Sequence, residues 1–168
     1  HDSNGVVRIR NFYKGVLETP KELLRNWDQL QFSTKEFLTP VGLKTSVGEP
    51  NFSTLEQLWV RPTCELNGIW GGYTGEGVKT VIPAKAHAKI SFRLVGEQDP
   101  EEIRYEFRNH IISQVHQDCS ISFLSNNHGS KAIIIPQDSI VFRAADKALK
   151  EEWKVAPVYT GCGGSIPI

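Results

Sequence analysis

Arg93 is the side chain in this sequence whose position best suits recognition of a ligand. It lies within residues 86–94, where apolar and polar residues alternate, and this alternation predicts a β-strand with one packed face. A guanidinium on such a strand is held within a narrow range of positions, and its forked donors match a carboxylate. A cross-strand ion pair with a neighbouring acid is the alternative interpretation, and from the sequence both stay open.

Ser165 is a second candidate, because it follows the glycine pair Gly163-Gly164. A serine nucleophile would need a Gly-x-Ser-x-Gly turn and a paired base nearby, and the sequence offers neither. A glycine pair instead lets backbone amides approach an anion closely, and the serine hydroxyl adds one donor. The same residues also suit a tight turn without a ligand, so an anion contact and a plain turn are both retained.

The histidines show no metal-ligand pattern. They are His1, His87, His110, His116 and His128. None belongs to an HxH or HExxH motif, and no acid cluster accompanies them. We therefore assign no metal ligand and no catalytic residue within this sequence. His87 shares the polar strand face with Arg93, where it either contacts a ligand or is an ordinary residue of the sheet surface.

Residues 72–80 resemble a phosphate-binding loop only superficially. That loop requires its lysine directly after the last glycine, with a helix behind it. Here Val78 intervenes before Lys79, and Pro83 followed by a strand stands where the helix would begin. Nucleotide binding is not expected. The apolar, glycine-rich residues 68–72 and the alternating residues 86–94 instead predict two strands joined by a flexible loop.

Composition excludes several classes of partner and compartment. Nineteen Lys and Arg balance 19 Asp and Glu, so there is no electrostatic case for nucleic acid or an acidic membrane surface. No apolar run is long enough to span a bilayer, and no signal-peptide pattern is present. Cys64, Cys119 and Cys162 are too scattered for a zinc ribbon and too few for a disulfide framework. We expect reduced thiols in a cytoplasmic protein.

The elements that must position Arg93 follow from caps and periodicity. Asp99-Pro100 starts the clearest predicted helix, which runs to about residue 117 with apolar residues at helical spacing. Residues 119–124 read as a further strand, so residues 61–130 form an α+β unit with helices on one face of an antiparallel sheet. After residue 132 the order is strand, helix, strand, which is typical of a parallel α/β layer in a second domain.

A series of motifs lies in order along nearly the whole chain. They are Arg61-Pro62-Thr63, NGIWGGY at 67–73, GEG at 75–77, KTVIPA at 79–84, AHAKISFRLV at 86–95, QDPE at 98–101 and GGSIP at 163–167. Together they resemble the M20 metallopeptidases, and within that family the dinuclear-zinc dipeptidases of the carnosinase-like branch.

This resemblance implies an α/β catalytic domain with two zinc ions, interrupted by a smaller lid or dimerisation domain. The lid is expected to be a two-layer sandwich, with a four-stranded antiparallel sheet and two helices on one face. Residues 1–131 resemble the lid, in which 1–60 form a peripheral helical segment. Residues 132–168 resemble the start of the returning catalytic half, a short strand-helix-strand piece.

The function implied is that of the lid fragment of a zinc-dependent dipeptidase, which cleaves a peptide or amide bond. The family's zinc ligands lie before and after this span, so the chain alone is expected to bind no catalytic zinc and to be inactive. A homodimer formed through the lid and a dipeptide-like substrate are implied as well. The alternative function is a stand-alone α+β module that binds a small acid or dimerises.

The resemblance also implies roles for individual residues. Arg93 matches the arginine that binds the substrate carboxylate, and Thr80 matches a lid threonine that reaches the partner subunit's active site. Ser165, with the amide of Gly164, matches the turn that contacts the substrate's terminal carboxylate.

Two features depart from the family pattern. The family's lid histidine belongs to an HSG motif, and none of the five histidines fills its place. Gly161-Cys162 stand where Arg-Glu is usual before the GGSIP turn, so the family's fine substrate preference is not carried over to this chain.

Overall fold

A computed structural model describes residues 1–124 and 129–163 of the chain. The elements in order are α1 (Lys21–Asp28), α2 (Thr34–Leu38), a short 3₁₀ turn (Thr39–Val41), α3 (Thr54–Trp59), β1 (Thr63–Gly71), β2 (Ala86–Arg93), α4 (Pro100–Gln114) and α5 (Ile140–Trp153). This mixture confirms the α+β class. No helix in the described ranges has both the length and the apolar character needed to cross a membrane.

The centre of the fold is an antiparallel hairpin of β1 and β2, as predicted, but β1 begins at Thr63 rather than at residue 68. Thr63 pairs with Arg93 at one end, and Gly71 pairs with Ala86 at the other. The register shifts at Asn67, where a bulge adds one residue to β1. This bulge interrupts the period-two pattern, which is why the first half of the strand was missed.

The predicted four-stranded sheet is wrong, because the described residues form a sheet of two strands. Residues 119–124, predicted as a third strand, are not assigned as one. They are held through a side chain instead, since Phe123 lies 6.5 Å from the Phe107 ring of α4 and 5.1 Å from the Arg108 guanidinium. Alternation predicts which face a segment buries, whereas a strand also needs a sheet edge within reach.

The strand-helix-strand prediction for residues 132–168 is correct only in its helix. Ser139 caps α5 by accepting a hydrogen bond from the backbone N–H of Phe142 at 3.3 Å. Residues 132–135 and 157–163 are not strands, and Ile133, at 74% exposed, lies largely in solvent. Parallel strands require neighbouring strands with which to pair, and the described part of the chain supplies none here.

The hairpin is held in place by a small core beneath one face. Phe12, which is 1% exposed, packs with Val7, Ile9 and Ile103. The Phe92 ring of β2 lies 6.1 Å from the ring of Phe12. Burial of aromatic and aliphatic side chains supplies most of the stabilisation of such a unit. The core therefore lies at the Arg93 end of the hairpin and not under its loop.

Helix α4 connects this core to the hairpin. Asp99 caps it as predicted, accepting from the backbone N–H groups of Glu101 and Glu102 at 2.9 and 3.2 Å. Phe107 then meets Phe92 edge to face, with ring centroids 5.2 Å apart. Because Phe92 immediately precedes Arg93, this contact fixes the backbone that carries the guanidinium.

The start of β1 is anchored by an ion pair. Arg61 donates to both carboxylate oxygens of Glu49 at 2.7 Å, and each side chain is only 13% exposed. The guanidinium also lies 4.0 Å from the ring centroid of Phe52. A two-pronged, partly buried pair of this kind holds its partners in one geometry. It fixes the end of β1 that faces Arg93.

Candidate functional site

Arg93 is the last residue of β2 and lies on the polar face of the hairpin, opposite Thr63. Its side chain is 56% exposed. Its Nη1 donates a hydrogen bond to the backbone carbonyl of Gly163, 70 residues further along the chain. The structure therefore brings Arg93 to the residue that precedes Gly164 and Ser165. Those two predicted site residues lie outside the described residues.

Glu65 is the acid nearest to Arg93 across the hairpin. Its Oε1 lies 3.9 Å from the Nε of Arg93. Both of its oxygens also accept hydrogen bonds from hydroxyls, from Thr63 at 2.8 Å and from Ser91 at 3.3 Å. A long ion pair between half-exposed groups contributes little. The cross-strand pair is present, but it leaves much of the guanidinium exposed for other contacts.

The other end of the polar face carries an aromatic stack. His87 pairs with Trp70 across the hairpin, and their rings lie parallel, with centroids 4.9 Å apart and planes 6° apart. The Nζ of Lys89 lies 5.8 Å from the Trp70 ring centroid. His87 therefore contacts its cross-strand neighbour in this structure, which is the sheet-surface interpretation of this histidine.

Thr80 lies in the exposed loop between the two strands, at residues 72–85. The apolar side chains around it are also in solvent, with Val78 97% and Ile82 91% exposed. β2 separates this loop from Arg93 by seven residue steps of about 3.3 Å, or roughly 23 Å. The loop that carries Thr80 and the side chain of Arg93 therefore lie at opposite ends of β2.

Gly161 explains one departure from the family pattern. A Cβ atom at this position would collide with the backbone carbonyl oxygen of Trp59. The approach of two backbones therefore leaves room only for glycine. An arginine, as the family pattern has here, would require residues 161–163 to move away from α3.

The described residues do not fit the pair of zinc ions that the family resemblance implies. Within residues 1–124 and 129–163, no three His, Cys, Asp or Glu side chains come together as metal ligands. The three cysteines are free thiols. Burial raises the pKa of the Cys64 thiol, which keeps it protonated and makes it a poor ligand or nucleophile.

Sequence reasoning missed Glu65 and Trp70 as neighbours of the candidate residues. The signal was present, because residues 63–66 alternate in polarity just as residues 86–94 do. The bulge at Asn67 hid it by shifting the phase of β1. Allowing one extra residue would have placed Glu65 on the same face as Arg93.

Residues 21–119, more than half of the chain, match the M20 peptidase dimerisation domain. The chain belongs to the M20 peptidase family. The match covers the hairpin with Arg93 and Thr80 and runs five residues past the end of α4, so the candidate arginine and threonine lie inside the dimerisation domain.

Curated relatives of this M20 chain include two kinds of dipeptidase. It is 31% identical to the Cys-Gly metallodipeptidase DUG1 of Candida albicans over 169 residues, which cover 99% of this chain and 35% of that protein. It is 22% identical to the Beta-Ala-His dipeptidase of Homo sapiens, covering 99% of this chain and 33% of that protein. The chain thus spans about a third of the length of these relatives.

Solved structures show the same fold. The M20 family metallo-carboxypeptidase Sso-CP2 of Sulfolobus solfataricus superimposes with a TM-score of 0.72 at 25% identity, covering 98% of this chain and 37% of that one. The di-peptidase Dug1p of Saccharomyces cerevisiae gives a TM-score of 0.63 at 27% identity, covering 99% and 35%.

Proposed function

We propose that this chain is the lid and dimerisation part of a zinc-dependent dipeptidase-type hydrolase, which cleaves a peptide or amide bond. In this proposal residues 1–131 form the lid and residues 132–168 begin the returning catalytic domain. The family match and the dipeptidase relatives support it. The proposed setting is cytoplasmic, in keeping with three free thiols.

The proposed role of Arg93 is to bind the substrate carboxylate. The observation that carries this proposal is the hydrogen bond from Arg93 to the carbonyl of Gly163. It joins the arginine to the start of the predicted carboxylate-binding turn at Gly164 and Ser165. A guanidinium that is half exposed and only weakly engaged by Glu65 can still offer its forked donors to a carboxylate.

The proposed role of Thr80 is to complete the active site of the partner subunit in a homodimer. Its loop is exposed and carries large apolar side chains, and it lies at the opposite end of the hairpin from Arg93. Because β2 places the near end of this loop roughly 23 Å from Arg93, we expect a single substrate to meet both residues only when they come from two chains. In a two-fold dimer, each active site receives Arg93 from one subunit and Thr80 from the other.

The metal ligands are proposed to lie outside the described residues of this chain. When bound, zinc supplies Lewis-acid activation in hydrolases of this type. The residues described here would orient the substrate and balance its charge. The isolated chain is accordingly expected to hydrolyse nothing.

The test of this proposal is Arg93→Ala in the complete enzyme, assayed with dipeptides. Loss of a charge-assisted hydrogen-bond pair to a carboxylate is expected to raise KM by about ten- to a hundredfold. The metal content per subunit is expected to stay unchanged, because the arginine contacts no metal ligand in this proposal.

Arg10→Ala is the matched control, because Arg10 is exposed and lies outside β2. Its KM is expected to equal that of the unaltered enzyme. A complete enzyme in which Arg93→Ala leaves KM unchanged would remove this arginine from the substrate site and with it the proposed role of the lid.

A further inference from the structure

Residues 157–163, here called the C-terminal segment, are fastened to helix α1. The side chain of Asn26 donates to the carbonyl of Pro157 at 3.1 Å and accepts from the N–H of Tyr159 at 2.8 Å. One amide side chain thus satisfies a donor and an acceptor on alternate residues, as a neighbouring strand would. These contacts join residues more than 130 positions apart.

Trp27 makes the next contact along the segment. Its Nε1 donates to the carbonyl of Tyr159 at 2.6 Å, and the residue is only 4% exposed. Its ring meets Trp59 edge to face, with centroids 5.0 Å apart. The backbone of Trp59 in turn lies against Gly161. Buried indole contacts of this kind allow little movement.

The segment ends at the candidate site. Two residues after Gly161, the carbonyl of Gly163 accepts the hydrogen bond from Arg93. The segment is therefore held at its beginning by Asn26, in its middle by Trp27 and Trp59, and at its end by Arg93. The contacts made by α1 limit where Gly163 can lie relative to the guanidinium.

We propose that Asn26 and Trp27 are positioning residues, which hold the C-terminal segment so that Gly163 and Arg93 keep the geometry required to bind the substrate carboxylate. This inference rests on the proposed function of Arg93. Neither residue touches the substrate in this account. Their effect reaches the site through residues 157–163, because small displacements of a binding group weaken an oriented interaction steeply.

The variants are Asn26→Ala and Trp27→Phe in the complete enzyme. Alanine is a better helix former than asparagine, so the first change removes the side-chain contacts without weakening α1. Phenylalanine keeps an aromatic ring against Trp59, and it removes the Nε1 donor together with part of the indole volume. Arg25→Ala, exposed on the same helix, and Tyr105→Phe, 66% exposed on α4, are the matched controls.

The first measurement is hydrogen exchange at the Tyr159 amide, together with steady-state kinetics. Asn26→Ala is expected to speed exchange at this amide and to raise KM about three- to tenfold with kcat nearly unchanged, the loss expected for about one net hydrogen bond. Trp27→Phe is expected to raise KM by a similar factor. Both controls are expected to match the unaltered enzyme in exchange and KM.

The deciding measurement is a double-mutant cycle with Arg93→Ala. If Asn26 acts through the arginine site, Asn26→Ala is expected to change KM less than twofold once Arg93 is absent. Multiplicative effects on KM in the double variant would overturn the positioning role, as would a raised KM without faster exchange at Tyr159.

The cycle also separates the two proposals. An unchanged KM in Asn26→Ala and Trp27→Phe, beside a raised KM in Arg93→Ala, overturns only the positioning role. An unchanged KM in Arg93→Ala contradicts the proposed function itself.

Discussion

Arg93 and Glu65 illustrate how distance and exposure decide what a charged residue does. Their closest atoms are 3.9 Å apart, and their side chains are 56% and 42% exposed. Solvent screens such a pair, so its contribution is expected to be at most about 1 kcal/mol. A ligand carboxylate that meets the arginine in two parallel hydrogen bonds would gain more than this. The arginine can therefore change partners at small cost.

This difference predicts a small effect for Glu65→Gln in the complete enzyme. The amide keeps one oxygen that can accept from one of the two hydroxyls of Thr63 and Ser91, its NH2 group can donate to the other hydroxyl oxygen, and the negative charge near the arginine is removed. KM for a dipeptide is expected to change less than about threefold, against at least about tenfold for Arg93→Ala. Equal changes in KM would show that Glu65 is essential to the arginine's placement.

At the residue scale, the sequence predicts the side chains that belong to a periodic element. Arg93 was placed on an exposed polar face by alternation alone, and the structure confirms that face. The contacts of Asn26 and Trp27 with residues 157–159 could not be predicted in this way. They join residues more than 130 positions apart, and nothing in the local pattern of α1 indicates which backbone its side chains will meet.

At the element scale, α5 and the C-terminal segment are joined by a charged cluster. The Oδ1 of Asp146 accepts from the hydroxyl of Tyr159 at 2.6 Å, and its Oδ2 accepts from Lys150 at 2.8 Å. The Lys150 ammonium and then the Tyr159 hydroxyl hold the pKa of Asp146 below its usual 3.8. The Asp146 carboxylate raises the pKa of Tyr159 and of Lys150.

The direction of these shifts fixes the pH dependence of the cluster. Asp146 has a lowered pKa, so its contribution to the stability of the folded protein is present above its usual pKa and is lost as pH falls through the lowered value. Tyr159 and Lys150 have raised pKa values, so their contributions are present below their usual values and are lost as pH rises through the raised ones. The cluster should be fully formed between about pH 5 and 9.

Tyr159→Phe tests this pH dependence. The thermal midpoint is expected to be lower than that of the unaltered protein by a constant amount between about pH 5 and 9, and the difference is expected to shrink below about pH 4. Tyr105→Phe on α4, 66% exposed, is the control. A difference in midpoint that grows as pH falls from 5 to 3 would contradict the assignment of the carboxylate.

The bulge at Asn67 gives a second prediction at this scale. Leu66 pairs with Ile90, and Gly68 pairs with Lys89, so deleting Asn67 leaves a regular ladder with every pair and face retained. The unfolding free energy is expected to stay within about 1 kcal/mol, because Asn67 is exposed and its removal takes away no core contact or cap. Because bulges increase strand twist, the loop that carries Thr80 should point elsewhere, and kcat/KM of the complete enzyme should fall.

Chemical denaturation and kinetics on the same preparation check this prediction. A deletion variant that unfolds far more readily would show that the bulge stabilises the hairpin itself. A variant with unchanged stability and unchanged kcat/KM would show that the loop's direction does not matter to the reaction.

Helices and the hairpin were predictable because caps and periodicity are local signals. Asp99 caps α4 where the sequence predicts a helix start, and Ser139 caps α5, the helix predicted after residue 132. The additional strands were predicted wrongly, because residues 119–124 and 132–135 have strand-like sequences but meet no neighbouring strand in the described structure. Sheet membership depends on a partner, and the partner is a property of the whole fold.

At the scale of the whole molecule, exposed apolar side chains occur along much of the described chain, and two regions of them concern the proposed function. One is the loop at residues 72–85, with Val78 and Ile82 almost fully exposed, and the other is α5, which buries none of its residues. Single exposed apolar side chains are ordinary, but groups of them mark surfaces that other protein covers. In the proposed function, the partner subunit covers the loop at residues 72–85, and the remainder of the catalytic domain covers α5.

The central claim is that Arg93 and Thr80 serve one substrate from two different subunits. The most direct measurement mixes two impaired complete enzymes, Arg93→Ala and Thr80→Ala, under conditions that exchange subunits, and assays the mixture at a dipeptide concentration well below KM. Each mixed dimer then holds one site with both groups intact, so random exchange is expected to restore about a quarter of wild-type activity. Activity in the exchanged mixture that stays at the level of the two separate variants would contradict the claim.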